Sequence, residues 1–174
     1  MYPISYFLAK VSYKLKHNNK EVISNYFRKA GMTIGNGCNI CCNIMNSEPY
    51  LISLGDNVTI SGNVTLITHD NSIQKVIKDK TDVVGPIRIG NNCFIGAGSM
   101  VLLGVTLADN IIVAAGSVVT KSFHESEIII AGNPAKKIGT WSDFKAKYAN
   151  NAIFLNGLSP QERKTMVLSN LIDK

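Results

Sequence analysis

The sequence predicts a mainly β fold: a parallel β-helix of hexapeptide repeats with short terminal helices and one inserted loop. The first observation behind this is a spacing. From Ile89 an aliphatic residue returns every six positions, at Ile95, Val101, Leu107, Val113 and Val119. The next residue is usually small (Gly90, Gly96, Ala108, Ala114), and four positions on from an aliphatic come Cys93, Ser99, Val105, Ile111 and Ser117. A helix needs apolar spacings of three and four and an alternating strand a spacing of two, so six fits short flat strands with a turn after each. The second observation is a turn signature of small and Asx residues, which tolerate tight or left-handed backbone. It recurs at Gly35-Asn36-Gly37, Gly55-Asp56-Asn57, Gly90-Asn91-Asn92 and Ala108-Asp109-Asn110. From 90 to 108 is 18 residues, or three hexads in one three-sided coil, and from 35 to 55 is 20, a coil plus two. The third is a break in phase: 55 to 90 is 35 residues, a coil of 18 plus an insertion of 17. Because Leu54, Ile60 and Leu66 keep the six-residue phase, the insertion falls between Asp70 and Pro86. A long loop in an otherwise regular stack is usually functional.

The elements follow in order. Stacked coils leave unpaired backbone groups at each end, which need a cap. Residues 1–30 are read as an N-terminal helical cap: Ile4, Leu8, Val11 and Leu15 fall at helical spacing, with a second helix around Lys20–Lys29. Residues 31–139 form the β-helix domain, from which the polar loop 70–86 protrudes. Residues 140–174 are a C-terminal helical tail. One short helix is expected over Ser142–Tyr148 and another at Ser159-Pro160-Gln161-Glu162, with Ser as N-cap and Pro in the first turn.

Composition bounds the function. At 174 residues with 45% hydrophobic content the chain supports one domain with a real core and is too apolar for disorder. Charged residues are only 17%, which suggests a second burial in an oligomer. The net charge of +6 is uneven, with +5 in residues 1–30 and −3 in residues 31–70. Nucleic acid is not an expected partner, because the three arginines (Arg28, Arg88, Arg163) are scattered. The basic N-terminal helix also suits weak association with an anionic membrane surface, although end-capping is the plainer reading. The apolar run Phe94–Val105 is too short to span a membrane and is broken by three glycines. Lys10 interrupts any apolar export segment, so the cytoplasm is the expected compartment. Cys38-Asn39-Ile40-Cys41 has redox or zinc spacing, but no second pair or closely spaced histidines complete a metal site. The cysteines are read as small residues packed in the coil, and no metal is expected.

The run IGNNCFIGAGSMVLLGVTLADNIIVAAGSVVTKS (89–122), followed by AGNPAKKI (131–138), resembles the hexapeptide-repeat acyltransferases. Within them it is most similar to the maltose, galactoside and polysaccharide O-acetyltransferases. PYLISLGDNVTISGNVTLITHD (49–70) is similar to the branch found with capsule and O-antigen genes. The resemblance covers about residues 31–139. It implies a left-handed parallel β-helix, a homotrimer with active sites between adjacent subunits, and acetyl-CoA as donor substrate. The implied reaction moves an acetyl group to a saccharide hydroxyl in surface polysaccharide biosynthesis.

The resemblance also implies residue roles. The catalytic base of the family falls on His69, where the ladder leaves its phase. The chemistry suits an imidazole there, since an alcohol is a poor nucleophile toward a thioester until its proton is removed. Direct transfer is expected, with the adjacent Asp70 as a candidate to orient the ring or contact the acceptor. The family's acceptor-binding Asn falls on Cys41, with Asn43 two residues on to take over its hydrogen bond and Asn46 or Glu48 to add to it. Donor-contacting positions fall on Phe94, Ala97, Ala115, Thr120, Lys121 and Lys136. A further basic position falls on Gly139, for which Lys137 compensates, and Pro134 fixes the turn that aims these lysines. The small alanines leave backbone groups open to the pantetheine amides, and lysines neutralise phosphate. Other readings are an N-acetyltransferase of nucleotide sugars, a non-catalytic scaffold, and a zinc enzyme of the carbonic-anhydrase kind. The last needs three converging histidines, and the coil region holds one.

Overall fold

The computed structural model describes residues 3–172, which divide into two compact units meeting between Ile138 and Gly139. In the first unit, helices α1 (Pro3–Leu15) and α2 (Glu21–Lys29) lead into β1 (Thr33–Ile34) and β2 (Asn39–Ile40). The next coil holds β3 (Ile52–Leu54), β4 (Thr59–Ile60) and β5 (Thr65–Leu66), and a hairpin of β6 (His69–Asp70) and β7 (Val83–Val84) follows. Two further coils contain β8 (Ile87–Ile89), β9 (Phe94–Ile95) and β10 (Met100–Val101), then β11 (Thr106–Leu107), β12 (Ile111–Val113) and β13 (Val118–Val119). β14 (Ile128–Gly132) and β15 (Ala135–Thr140) end the ladder, with the cis Asn133–Pro134 peptide between them.

Apart from the two-stranded β6–β7 hairpin, the strands form three sheets, which the chain visits in turn. The first has the order β1-β3-β8-β11, the second β15-β14-β12-β9-β4-β2 and the third β13-β10-β5. Pairing between successive coils is parallel, as in Thr33↔Ser53, Ser53↔Arg88 and Thr106↔Arg88. Those offsets are the 20, 35 and 18 residues of the turn spacing. Every residue of the six-residue series from Ile89 to Val119 is at most 3% exposed, and Cys93, Ser99, Val105, Ile111 and Ser117 are as well buried. The two buried serines of this series are satisfied: Ser99 and Ser117 both donate to the carbonyl of Ala114.

The corner between the first and second sheets explains the turn signature. Asn57, Asn92 and Asn110 take positive φ, at 55°, 55° and 59°. One residue earlier, the side chains stack from coil to coil. Asp56 Oδ1 accepts from Asn36 N at 2.6 Å, Asn91 Oδ1 from Asp56 N at 2.8 Å, and Asp109 Oδ1 from Asn91 N at 2.7 Å. These corner amides therefore bond to side chains of the next coil, where the sheet ladders are interrupted. The glycines before Asn36, Asp56 and Asn91 are required by close approach: a Cβ on Gly90 would lie 2.7 Å from backbone atoms of Ala108 and Asp109.

Helix α2 covers the open end of the first coil. Ile23, Ser24 and Phe27 are buried, and Arg28 Nε donates to the Ile34 carbonyl at 2.8 Å. The guanidinium also bonds the Gly35 carbonyl and pairs with Glu21 at 2.7 Å, so one side chain satisfies edge acceptors of β1. Helix α1 turns to the core a different face from the one its aliphatic spacing suggests. Its core-packed residues are Tyr6, Ala9 and Tyr13, whereas Ile4, Leu8, Val11 and Leu15 are 40–76% exposed. The expected apolar face points to solvent because the bulkier, partly polar aromatic face packs on the rings of Tyr26 and Phe27.

In the second unit, α3 (Trp141–Tyr148) and α4 (Pro160–Leu168) each start at a reciprocal capping box, Thr140 with Asp143 and Ser159 with Glu162. The latter is the N-cap that the Ser-Pro-Gln-Glu spacing predicts.

Gly90→Ala should destabilise the fold by about 1–3 kcal/mol through overpacking against the next coil. Asn91→Ala should cost about 1 kcal/mol by removing one exposed rung. Denaturant unfolding of both variants checks the order: equal costs would contradict the close-approach account.

Candidate active site

The third side of the first coil is where the repeat fails. Residues 43–48 form no strand, and a single 3₁₀ turn at Pro49–Leu51 absorbs the two residues by which this coil exceeds 18. Side chains replace the missing backbone ladder beside β5. Asn46 Nδ2 donates to the Leu66 carbonyl at 3.4 Å and to Thr68 Oγ1 at 3.0 Å. Glu48 then reaches the same place.

His69 leaves the coil directly above. Ile67 N still bonds to the Val101 carbonyl, and Thr68 is fully buried. The chain then turns into the antiparallel pair His69↔Val84 and Asp70↔Val83, closed by Gly85 N donating to the Thr68 carbonyl at 2.9 Å. The insertion thus starts one residue before Asp70, with His69 in its stem. The His69 side chain is 37% exposed, and its Nδ1 lies 2.8 Å from Glu48 Oε2. Thr68 Oγ1 donates to that same oxygen at 2.7 Å.

These contacts set the charge state. The Thr68 hydroxyl, with His69 beside it, holds the Glu48 carboxyl below its ordinary range. The hydrogen bond to Glu48, and then its charge, pushes the His69 imidazole above the ordinary histidine value. An ionised carboxylate can only accept, so the ring proton sits on Nδ1 and Nε2 is left as the basic nitrogen. A general base oriented by a half-buried carboxylate is the chemical capacity of this arrangement.

The structure places the remaining expected residues as follows. Asp70 does not touch the ring: its Oδ1 accepts from Ser72 N at 2.8 Å and caps the 3₁₀ turn Asn71–Lys75, which lowers its own pKa. Asn43 Oδ1 accepts from Met45 N at 3.1 Å, a local turn contact. Cys41 lies away from this network, in a cleft of about 120 Å³ lined by Lys10, Tyr13, Lys20, Ile23, Asn39 and Ile40. Phe94 is 44% exposed on the second sheet, and Ala97 and Ala115 are exposed at stacked turns between the second and third sheets. Thr120 and Lys121 are exposed on the turn after β13, the same corner of the coil that His69 leaves after β5. Lys121 Nζ lies 5.7 Å from the Phe123 ring centroid. Lys136 and Lys137 are exposed on β15, and Lys137 pairs with Glu125 at 2.6 Å. Within one chain these groups therefore occupy two different edges of the coil.

The residue that sequence reasoning assigned elsewhere is Glu48, taken as an addition to acceptor binding. The signal was present: residues 31–70 hold three acids, and Asp56 belongs to a corner and Asp70 to the loop. Among the described residues, no group of three or more His, Cys, Asp or Glu could hold a metal ion, and no helix is long and apolar enough to cross a membrane.

A family model described as the hexapeptide repeat of succinyl-transferase matches residues 86–121. Protein CapG of Staphylococcus aureus is 39% identical over 160 residues, covering 89% of this chain and 92% of CapG. Galactoside O-acetyltransferase of Escherichia coli (strain K12) is 34% identical over 107 residues, 61% of this chain and 52% of that enzyme. This chain therefore matches about half the length of the galactoside enzyme. A solved structure of galactoside acetyltransferase in complex with coenzyme A superimposes with a TM-score of 0.57 at 28% identity, covering 72% of this chain and 73% of the other.

Chemical acylation of His69 needs the neutral imidazole, so its rate should rise with pH through the His69 pKa. Glu48→Gln should move that rise to lower pH, because the carboxylate that favours the imidazolium is gone. Diethyl pyrocarbonate labelling followed at the His69 peptide by mass spectrometry checks this; an unmoved midpoint would contradict the pairing.

Proposed function

This chain belongs to the hexapeptide-repeat acetyltransferase family, and from that premise we propose that it transfers an acetyl group from acetyl-CoA to a saccharide hydroxyl. The observation that carries the reading is the Glu48–His69 pair at 2.8 Å on the hairpin stem. In this proposal His69 Nε2 removes the acceptor hydroxyl proton as that oxygen attacks the acetyl carbonyl carbon. The C–O bond forms, the tetrahedral intermediate collapses with cleavage of the C–S bond, and the imidazolium returns its proton to the departing thiolate. Backbone N–H groups stabilise the oxyanion. Glu48 holds the ring through both steps and stabilises its cationic form, as a positioning residue.

The donor side of the proposal uses Phe94, Ala97, Ala115, Thr120, Lys121, Lys136 and Lys137. The alanines leave room for the pantetheine arm, Phe94 supplies apolar surface, and the lysines meet the nucleotide phosphates. The division of these residues between two edges of one coil favours a homotrimer, in which an edge of one subunit faces a different edge of its neighbour. The left-handed sense of the coil belongs to the same proposal. On the acceptor side, Asn43 and Asp70 retain polar atoms beyond their local turn contacts, and Cys41 lines a cleft with Lys10 and Tyr13. The match to a capsule-named protein along nearly its whole length favours a surface polysaccharide as the acceptor. A coenzyme A thioester is made in the cytoplasm, which is where the reaction is placed.

With acetyl-CoA and a panel of saccharides, thiol release should fall about a hundredfold or more in His69→Ala. Acetyl-CoA affinity, read by calorimetry, should stay within about twofold of wild type in that variant and weaken several-fold in Lys121→Ala. No acetyl-CoA binding by the wild-type protein would refute the donor assignment, and transfer to an amine in preference to every hydroxyl would refute the acceptor class.

A further inference from the structure

Helix α1 carries an apolar stripe that no described residue of its own unit covers. Ile4, Phe7, Leu8, Val11 and Leu15 are spaced for one helix face and are 74%, 65%, 60%, 40% and 76% exposed. The opposite face, Tyr6, Ala9 and Tyr13, packs on the core, so the stripe points directly away from the coil. At about 100° per residue, Lys14 borders the stripe beside Phe7, and Lys10 stands behind it next to the core-packed Tyr6. Helix α1 contains no acidic residue. The Lys10 ammonium lies 5.5 Å from the Tyr13 ring centroid and, with Lys20, lines the cleft between this helix and β2. The cationic border therefore continues from α1 into the body of the unit. It belongs to a segment of +5 in a chain whose total is +6.

We propose that α1 lies flat on an anionic lipid surface, with the Ile4–Leu15 stripe in the acyl boundary and Lys10, Lys14 and Lys20 against lipid phosphates. A helix with a narrow exposed apolar face, a lysine border and no acid has the charge and shape of an interfacial anchor. Charge favours a lipid surface over a second copy of the same helix as occupant, because a second copy adds like charge around the stripe where headgroups supply the opposite sign. Anionic headgroups neutralise those lysines, and lysine stems extend along apolar surface while their ammonium groups stay at the phosphate level. The consequence is a coil held at a membrane surface, where a lipid-carried acceptor would be concentrated. The attachment itself does not depend on the chemistry of His69.

The test is flotation of the full-length protein with vesicles of phosphatidylcholine alone or mixed with phosphatidylglycerol, at low and high salt, without substrates. The wild-type protein should float with the anionic vesicles, be released in part by salt, and stay free of the neutral ones. Leu8→Glu and the double change Lys10→Glu/Lys14→Glu should each reduce the bound fraction by about tenfold or more, with circular dichroism unchanged. His69→Ala should bind as the wild type does, which separates failure of this proposal from failure of the transfer reading. Binding that is absent, indifferent to lipid charge, or retained in both stripe and border variants would overturn it. So would a Leu8→Glu change that lowers the oligomeric state in sedimentation velocity while wild-type vesicle binding is absent, since the stripe would then be a subunit contact.

Discussion

Parallel stacking at strand spacing is the constraint on which the rest of this structure depends. Each coil must offer its backbone to the next at about 4.8 Å, with no room for a side chain where the chain turns the corner. One aliphatic per side then fills the interior, which is why the six-residue series is buried throughout. At the corner between the first and second sheets, amides lose their sheet partners and the Asx side chains of the following coil supply them. Asn36, Asp56, Asn91 and Asp109 form one continuous series of such contacts. The third side of the first coil, residues 43–48, is by contrast irregular.

That irregularity makes the chemistry. A regular hexad at residues 43–48 would have added a fourth strand to the third sheet and turned its side chains alternately in and out. The two extra residues instead free the segment, so that Asn46 and Glu48 meet Thr68 and His69 across one coil step. Glu48 is held ionised by two donors on one oxygen, and the imidazole gains basicity from it. The gain has two sides: a more basic ring removes a proton more readily, but a larger fraction of it is already protonated near neutral pH. The fixed Nδ1–H tautomer is the part of the arrangement without such a cost, since it leaves Nε2 as the only basic nitrogen.

How much of this was legible in the sequence follows from what each residue answers to. The coil registers were readable because a period of six and Asx turns are repeated local signals, and the observed offsets of 20, 35 and 18 residues are those of the turns. The capped start of α4 was readable for the same reason, since Ser159, Pro160 and Glu162 act within one turn. The direction of α1 was not. Its stripe and its tyrosine face are both compatible with helical spacing, and the choice between them is made by the rings of Tyr26 and Phe27, far along the chain. The partner of His69 was not legible, for a related reason. Asp70 is its neighbour in sequence, but alternation along an extended strand and the turn bond to Ser72 take that carboxylate away. Glu48 is 21 residues distant and adjacent only through the stacking of coils.

The measurement that most directly tests the central claim is the protonation state of His69, read by ¹⁵N nuclear magnetic resonance of histidine-labelled protein across a pH titration. The account predicts a neutral ring that carries its proton on Nδ1 and titrates above the ordinary histidine value. A ring protonated on Nε2, or a midpoint at or below the ordinary value, would contradict it, because Glu48 would then not be holding the base.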